Sequence, residues 1–277
     1  MRHIFAAQPN KMSPLNCRDI PCDTKVKAGD DVLISTVFTW DKPVAESMGE
    51  YYRSIGAKVQ VGGPAYDDPG AEFIPNKFMA PGVVITHRGC PRACPWCYVP
   101  KREGRKIRHL DIHAGNILQD NNFLACDQTH RDKVYAMLRT QRRCSLRGGL
   151  DARLLRDSDI EAIRGLRLFD LWTAHDSTDN GASLSAIRRF RAAGIPQGKI
   201  RCYVLVGFGG ETMTQAEDRL RMVWEAGAYP FAQLFDGYTG SDILEWKRFA
   251  RRWCLPAIYK SFFKKDNPSL TGGQKEK

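Results

Sequence analysis

From residue 82 onward, short apolar runs rich in β-branched residues alternate with stretches of helical period, and no other feature constrains the fold as tightly. Val83–Thr86, Asn122–Cys126, Cys144–Leu150, Leu168–Ala174, Ile200–Val206 and Phe231–Phe235 read as six strands. Helical stretches follow near 129–141, 157–164, 183–193 and 214–226. Parallel neighbours need a crossover long enough to hold a helix, so repeats of this kind fold as a parallel sheet covered by helices. The expected class is α/β, with a partial (β/α)6 TIM-like barrel over residues 81–240.

The first 80 residues form a separate segment. Residues 1–28, with prolines at 9, 14 and 21, read as an extended lead-in. Asp31–Val37 reads as a buried strand, and Val44, Met48, Tyr51, Tyr52 and Ile55 recur at helical spacing until Gly56. Ala57–Val61 then completes a small βαβ unit with a right-handed crossover. The Pro/Gly/Asp-rich stretch 63–82 is the linker to the barrel. Residues 241–277 read as a basic helix followed, from Asp266, by a disordered tail.

The stretch Gly89–Tyr98 reads Gly-Cys-Pro-Arg-Ala-Cys-Pro-Trp-Cys-Tyr and falls in the loop after the first barrel strand. It sets Cys90, Cys94 and Cys97 in a C-x3-C-x2-C pattern. Three thiolates are one ligand short of a closed tetrahedral site. An iron–sulfur cubane held this way keeps one iron open to an outside ligand. Spacing alone leaves two other readings: a Cys3His zinc site using His87, three residues before Cys90, or three reduced thiols without metal. The chain has 9 cysteines, an odd count too scattered for a disulfide framework. Cys126, Cys144 and Cys202 read as small core hydrophobes, and Cys17, Cys22 and Cys254 show no metal-like clustering.

With Trp96 directly before the third cysteine, the motif resembles the cluster motif of the radical S-adenosylmethionine enzymes. The resemblance implies a [4Fe–4S] cluster at Cys90, Cys94 and Cys97, with S-adenosyl-L-methionine (SAM) chelating the open iron and Trp96 beside it. Reductive cleavage then gives a 5′-deoxyadenosyl radical that takes hydrogen from a substrate, with electrons from an external donor such as flavodoxin or ferredoxin. It also implies cofactor-facing groups at the later strand ends. Asp127, in Ala125-Cys126-Asp127-Gln128, stands where the family often has Gly-Gly-Glu, and keeps only the acid. Arg147-Gly-Gly-Leu-Asp-Ala-Arg153 is similar to the family's Gly-x-Asp-Ala-Arg and offers Arg147, Asp151 and Arg153 to the carboxylate or ribose. His175, with Asp176 and Ser177, ends the fourth strand. Val206–Thr212 resembles Gly-x-x-Gly-Glu-Thr and offers Gly207, Gly209, Gly210 and Glu211 along the adenine and ribose; a plain strand-to-helix turn would also use these glycines. The N-terminal unit resembles a shortened cobalamin-binding domain, but it has no Asp-x-His-x-x-Gly, so cobalamin is not expected.

Charge points to the partner. The net charge is +11, and its excess comes from residues 81–165 (16 Lys/Arg against 9 Asp/Glu) and 241–277 (9 against 4). A field of this sign attracts polyanions, although a solvated basic surface would give the same numbers. Lys101, Arg102, Arg105, Lys106 and Arg108 follow the cysteine loop directly. In Trp246–Trp253, the aromatics Trp246, Phe249 and Trp253 read as the packed face of a helix that leaves Arg248, Arg251 and Arg252 outward. The expected substrate is a base in nucleic acid, DNA ahead of RNA. The compact sequence resembles phage-encoded radical SAM proteins linked to thymine hypermodification, whose target base must leave the stack to be reached. A small-molecule or peptide enzyme, and a non-enzymatic iron–sulfur or zinc module that binds nucleic acid, are the alternatives. With no apolar leader and no run near the ~20 residues that span a bilayer, the chain is expected to be a soluble cytoplasmic monomer, in an infected host for a phage protein.

Overall fold

The computed structural model describes residues 2–8, 12–13, 26–68, 70, 72–176 and 181–266. Cys17, Cys22, Ser177 and the tail after Asp266 lie outside the described residues. The chain divides into two compact units, Met1–Gly148 and Gly149–Lys277.

In the first unit, β1 (Arg2–Ala6), β2 (Asp31–Ser35) and β3 (Lys58–Gly62) form a parallel sheet in the order β1-β2-β3, with α1 (Lys42–Ser54) joining the last two. Pro43 stands in the first turn of α1, where its missing N–H costs nothing. Ala45 and Tyr52 of that helix pack on Phe5, Val32 and Ile34 of the sheet, and the Phe5 and Tyr52 rings stack at 5.2 Å. The strand–helix–strand expectation holds. The lead-in carries one strand more than the sequence announces: β1 pairs with β2 in the register Ile4↔Leu33 and supplies Phe5 to the core. An apolar run of three residues is too short to declare a strand by periodicity; its partner strand makes it one.

The remaining strands are β4 (Val83–Val84), β7 (Ile117–Leu118), β8 (Cys144–Leu150), β9 (Leu168–Ala174), β10 (Ile200–Val206) and β11 (Tyr229–Leu234). They make a parallel sheet of six strands in the order β11-β10-β9-β8-β7-β4, laid down in chain order without reversal. The protein is therefore mixed α/β. Between β4 and β7 a short antiparallel ribbon, β5 (His87–Arg88) with β6 (Arg108–His109), brackets the helical turn α2 (Val99–Glu103).

One strand is displaced from its expected place. Asn122–Cys126 is not the second strand; Ile117–Leu118 fills that position between β4 and β8. Phe123–Ala125 instead forms a 3-10 turn that buries Phe123 and Leu124, with Phe123 edge-on to Tyr135 at 5.2 Å. The apolar signal was real, but it marks a core plug and not a ladder. Asp127 then caps α3 (Gln128–Arg139) by accepting the His130 N–H at 2.8 Å. The first strand is also shorter than expected, ending at Val84.

The second unit follows its sequence pattern closely. The crossovers are α4 (Asp157–Arg164), α5 (Ala182–Ala192) and α6 (Met213–Ala226), with Thr212 and Gln215 forming a capping box at the start of α6. Ile200, Cys202, Val204 and Val206 alternate along β10 with no solvent exposure, as a strand lying beneath helices requires. On α7 (Ile243–Cys254), Trp246, Phe249 and Trp253 are buried while Lys247, Arg248, Arg251 and Arg252 face solvent. An unanticipated α8 (Pro256–Asp266) follows, and its Tyr259 stacks on Trp253 at 5.6 Å. Among the described residues no helix is long and apolar enough to cross a membrane.

Candidate functional site: a three-cysteine loop

The cysteine loop is closed at its base by backbone and one carboxylate. Gly89 sits at φ +85°, a left-handed conformation, and a Cβ there would overlap the Lys106 carbonyl oxygen. Next to it, the Cys90 N–H donates to the Gly104 carbonyl at 3.1 Å, bringing the two ends of the loop together. Glu103, its side chain only 7% exposed, locks that closure. Its Oε2 accepts the Gly89 N–H and the Asn121 side-chain amide, each at 2.8 Å, and its Oε1 lies 3.4 Å from Arg88 Nη1. At the rim, Arg105 donates to the Pro91 carbonyl at 3.1 Å.

Within this loop Cys90 is buried and Cys94 and Cys97 are half-buried, and none of the three is in a disulfide. The Cys97 N–H donates to the Cys94 carbonyl at 3.0 Å, a tight turn that keeps the last two cysteines together. Burial raises the Cys97 thiol above its ordinary range, and charge on Cys94 or Cys90 would raise it further. Among the described residues no three His, Cys, Asp or Glu side chains converge as a group for a single metal ion. Trp96 is half-buried in the same turn.

Behind the loop lies a buried polar network. Asp120, 1% exposed, accepts from the Thr86 N–H and the Thr86 hydroxyl, each at 2.6 Å. His87, fully buried, places Nδ1 3.2 Å from Asp120 Oδ2, while its Nε2 accepts the Asn122 N–H at 3.3 Å. Asn122 in turn donates its side-chain N–H to Cys90 Sγ at 3.4 Å. On the other side, His130 Nε2 lies 3.1 Å from Thr86 Oγ1, and its ring stacks on His109 at 4.0 Å. Burial, reinforced by His109, pulls the His130 imidazole down to about 4. Sequence reading passed over Thr86, Glu103, Asp120, Asn122, His109 and His130. The acid expected at the second strand end, Asp127, belongs to an exposed cap and lies 3.5 Å from His109; the buried acid after the actual second strand is Asp120.

In the second unit, Asp151 accepts from Arg153 Nε at 2.7 Å, so these two candidates answer each other within one turn. Arg147 is half-buried on β8. At the end of β9, His175 is buried and its Nδ1 lies 2.7 Å from the Ser183 hydroxyl. After β10, Gly207, Gly209 and Gly210 adopt φ +76°, +68° and +77°. Among the described residues nothing comes within 4 Å of where a Cβ would stand on Gly209 or Gly210. Glu211 is turned inward, accepting the Gly207 N–H at 3.2 Å and pairing with Arg219. Arg219, missed by sequence reading, also donates to the His175 and Leu205 carbonyls and so ties the β9 and β10 ends together. Of the cationic candidates, Lys101, Arg105, Lys106 and Arg108 are exposed and Arg102 is half-buried; Arg248, Arg251 and Arg252 are exposed, with the Arg252 guanidinium 5.8 Å from the Phe249 ring centroid.

Among the other described cysteines, three lie in the core and Cys254 is half-buried. Cys126, Cys144 and Cys202 are buried, and Cys144 and Cys254 donate to the Leu138 and Ala232 carbonyls. Burial pushes the Cys126 thiol up to about 12. No protein-family model matches the chain, and no curated protein matches it.

Proposed function

We propose that the chain is a radical SAM enzyme whose [4Fe–4S] cluster is held by Cys90, Cys94 and Cys97, and that it acts on a nucleobase in DNA. The observation that carries this reading is the C-x3-C-x2-C loop following β4, the first strand of a parallel sheet whose six strands run in chain order. Ligands of parallel α/β sheets gather at such strand-end loops, and strand order without reversal is the order of a partial (β/α)6 barrel.

The donor set fits the cluster. Free thiols on one short, closed loop are the soft ligands that iron–sulfur centres take. Cys90, Cys94 and Cys97 would be the cluster's ligands, and the lack of a single-ion group among the described residues is no obstacle to it. His87 is fully buried with its Nε2 accepting the Asn122 N–H, which argues against the Cys3His zinc alternative. When bound, the reduced cluster supplies the electron that cleaves S-adenosylmethionine and yields a hydrogen-abstracting 5′-deoxyadenosyl radical. The chain's own contribution is positional. Glu103 and Gly89 hold the cysteine loop shut; in the second unit, a Cβ at Gly209 or Gly210 would meet nothing within 4 Å among the described residues. Glu211 and Arg219 keep that glycine loop in shape.

The exposed cations that follow the cysteine loop, and those on α7, support the choice of DNA, since phosphate contacts come from such groups. The test is anaerobic reconstitution with iron, sulfide and reductant, scored by 5′-deoxyadenosine formation with duplex DNA, hydroxymethylated DNA, RNA or no polymer. Mass spectrometry of digested nucleosides identifies any altered base. Wild type should release deoxyadenosine, and Cys94→Ala should lose both the brown colour and that product. Full-rate product formation by Cys94→Ala would refute the cluster assignment. Polymer-independent turnover, or DNA binding that does not weaken with salt, would refute the choice of DNA.

A further inference from the structure

Asn122 lies between β7 and α3, 3% exposed, with its side-chain N–H pointed at Cys90 Sγ, 3.4 Å away. Its position is not left to chance. The Asn122 main-chain N–H is fixed on His87 Nε2 at 3.3 Å, and His87 Nδ1 lies 3.2 Å from Asp120 Oδ2. Asp120 is anchored by two donors from Thr86. Each member of this chain is nine-tenths or more buried, so the direction of the Asn122 amide is set by packing and by the backbone.

A neutral thiol is a weak acceptor, a poor exchange for the water that a buried amide N–H gives up. A sulfur that carries negative charge is a good one, because charge-assisted bonds are about twice as strong as neutral ones. Resting on the cluster assignment proposed above, we infer that Asn122 is a positioning residue that sets the reduction potential of the cluster through its N–H···S bond to Cys90. Reduction adds one electron, whose charge spreads onto the ligand sulfurs. A donor held at one of them stabilises the reduced form more than the oxidised form, and raises the potential. Here it makes the centre easier for a low-potential electron donor to reduce, and it acts at the most buried of the three cysteines.

The experiment is a redox titration of the full chain, anaerobically reconstituted, followed by electron paramagnetic resonance without substrate or S-adenosylmethionine. Asn122→Ala should lower the midpoint so that the reduced-to-oxidised ratio at the wild-type midpoint falls about tenfold, a shift of about 59 mV for one electron. Asn122→Ser keeps the site polar but cannot reach the sulfur, and should shift in the same direction with iron and sulfide per chain unchanged. Midpoints within twofold of wild type, in ratio terms, would overturn the inference while leaving the cluster in place. Loss of the cluster from both variants would also overturn it, showing Asn122 to be scaffold. A wild-type chain that takes up no cluster would defeat the underlying assignment, an outcome distinct from either.

Discussion

Replacing Glu103 with alanine removes the acceptor of three donors at once: the Gly89 N–H, the Asn121 amide and the Arg88 guanidinium. Hydrogen bonds to a charged partner contribute about 1.5–3 kcal/mol each. Breaking a buried ion pair costs about 3–5 kcal/mol, because the remaining charge is stranded. The Arg88 contact is long at 3.4 Å and its side chain is 17% exposed, so water recovers part of that loss. Gly89 and Asn121 share one oxygen, so their contributions do not simply add. A loss of about 3 kcal/mol follows for Glu103→Ala. Glu103→Gln keeps one carbonyl acceptor but presents an NH2 to a donor, and should lose about half as much. Urea unfolding measures both through the midpoint, provided the slope is unchanged. Hydrogen exchange at the Gly89 amide reports the loop itself, and should quicken in the alanine variant before global unfolding does. If Glu103→Ala stays within about 1 kcal/mol of wild type and Gly89 exchange is unaltered, the clamp does not hold the loop.

Two further outcomes follow from the same region. In Gly148→Ala the new Cβ would overlap the Asp120 carbonyl, a backbone group that cannot step aside, so the loss should exceed the usual ~1–3 kcal/mol of overpacking. Gly149→Ala meets nothing within 4 Å among the described residues and carries only the left-handed penalty of about 1–2 kcal/mol, so denaturant midpoints that rank Gly149→Ala as the worse variant would refute this placement of Asp120. The second concerns acid. His130 is held near 4 in the folded protein against 6.5 in the open chain, so the unfolded state binds the extra proton between those values. Stability is therefore full above pH 6.5 and falls as pH drops toward 4. At about 1.4 kcal/mol per pH unit the bound is ~3 kcal/mol, and solvent around the exposed neighbour His109 reduces it to about 1–2 kcal/mol. A His130→Phe chain should show a flatter pH profile over that window; an identical slope would refute the assignment.

The second unit was legible because its elements are long enough to carry a period. Ile200–Val206 alternates over seven residues beneath its helices, and Met213–Ala226 begins at a capping box and ends at a left-handed Gly227. Trp246, Phe249 and Trp253 gave the buried face of α7 from spacing alone. Such segments state their fold locally. By contrast β4 and β7 have two residues each, and a pair of apolar residues has no period to read. Phe123-Leu-Ala offered a stronger apolar signal a few residues later and drew the strand assignment away, although its side chains plug the core from a 3-10 turn.

That displacement explains why the cysteines were visible and their surroundings were not. A C-x3-C-x2-C pattern is local, so its spacing appears in the chain itself. Glu103 acts on Gly89, Asp120 on Thr86 and Asn122 on Cys90, over separations of 14, 34 and 32 residues that no window spans. The expectation of an acid after the second strand was sound in kind, but it fell on Asp127 because the strand was set too late. With Ile117–Leu118 as the strand, the polar run Gln119-Asp120-Asn121-Asn122 becomes its C-terminal loop. Three of those four residues reach the cysteine loop or the residues beneath it: Asp120 through Thr86 and His87, Asn121 through Glu103, and Asn122 through Cys90. The shortest strands in the sheet thus lead into the polar residues that meet the cysteine loop. A two-residue strand fixes where a loop starts while leaving nearly all of its backbone and side chains free to build a site.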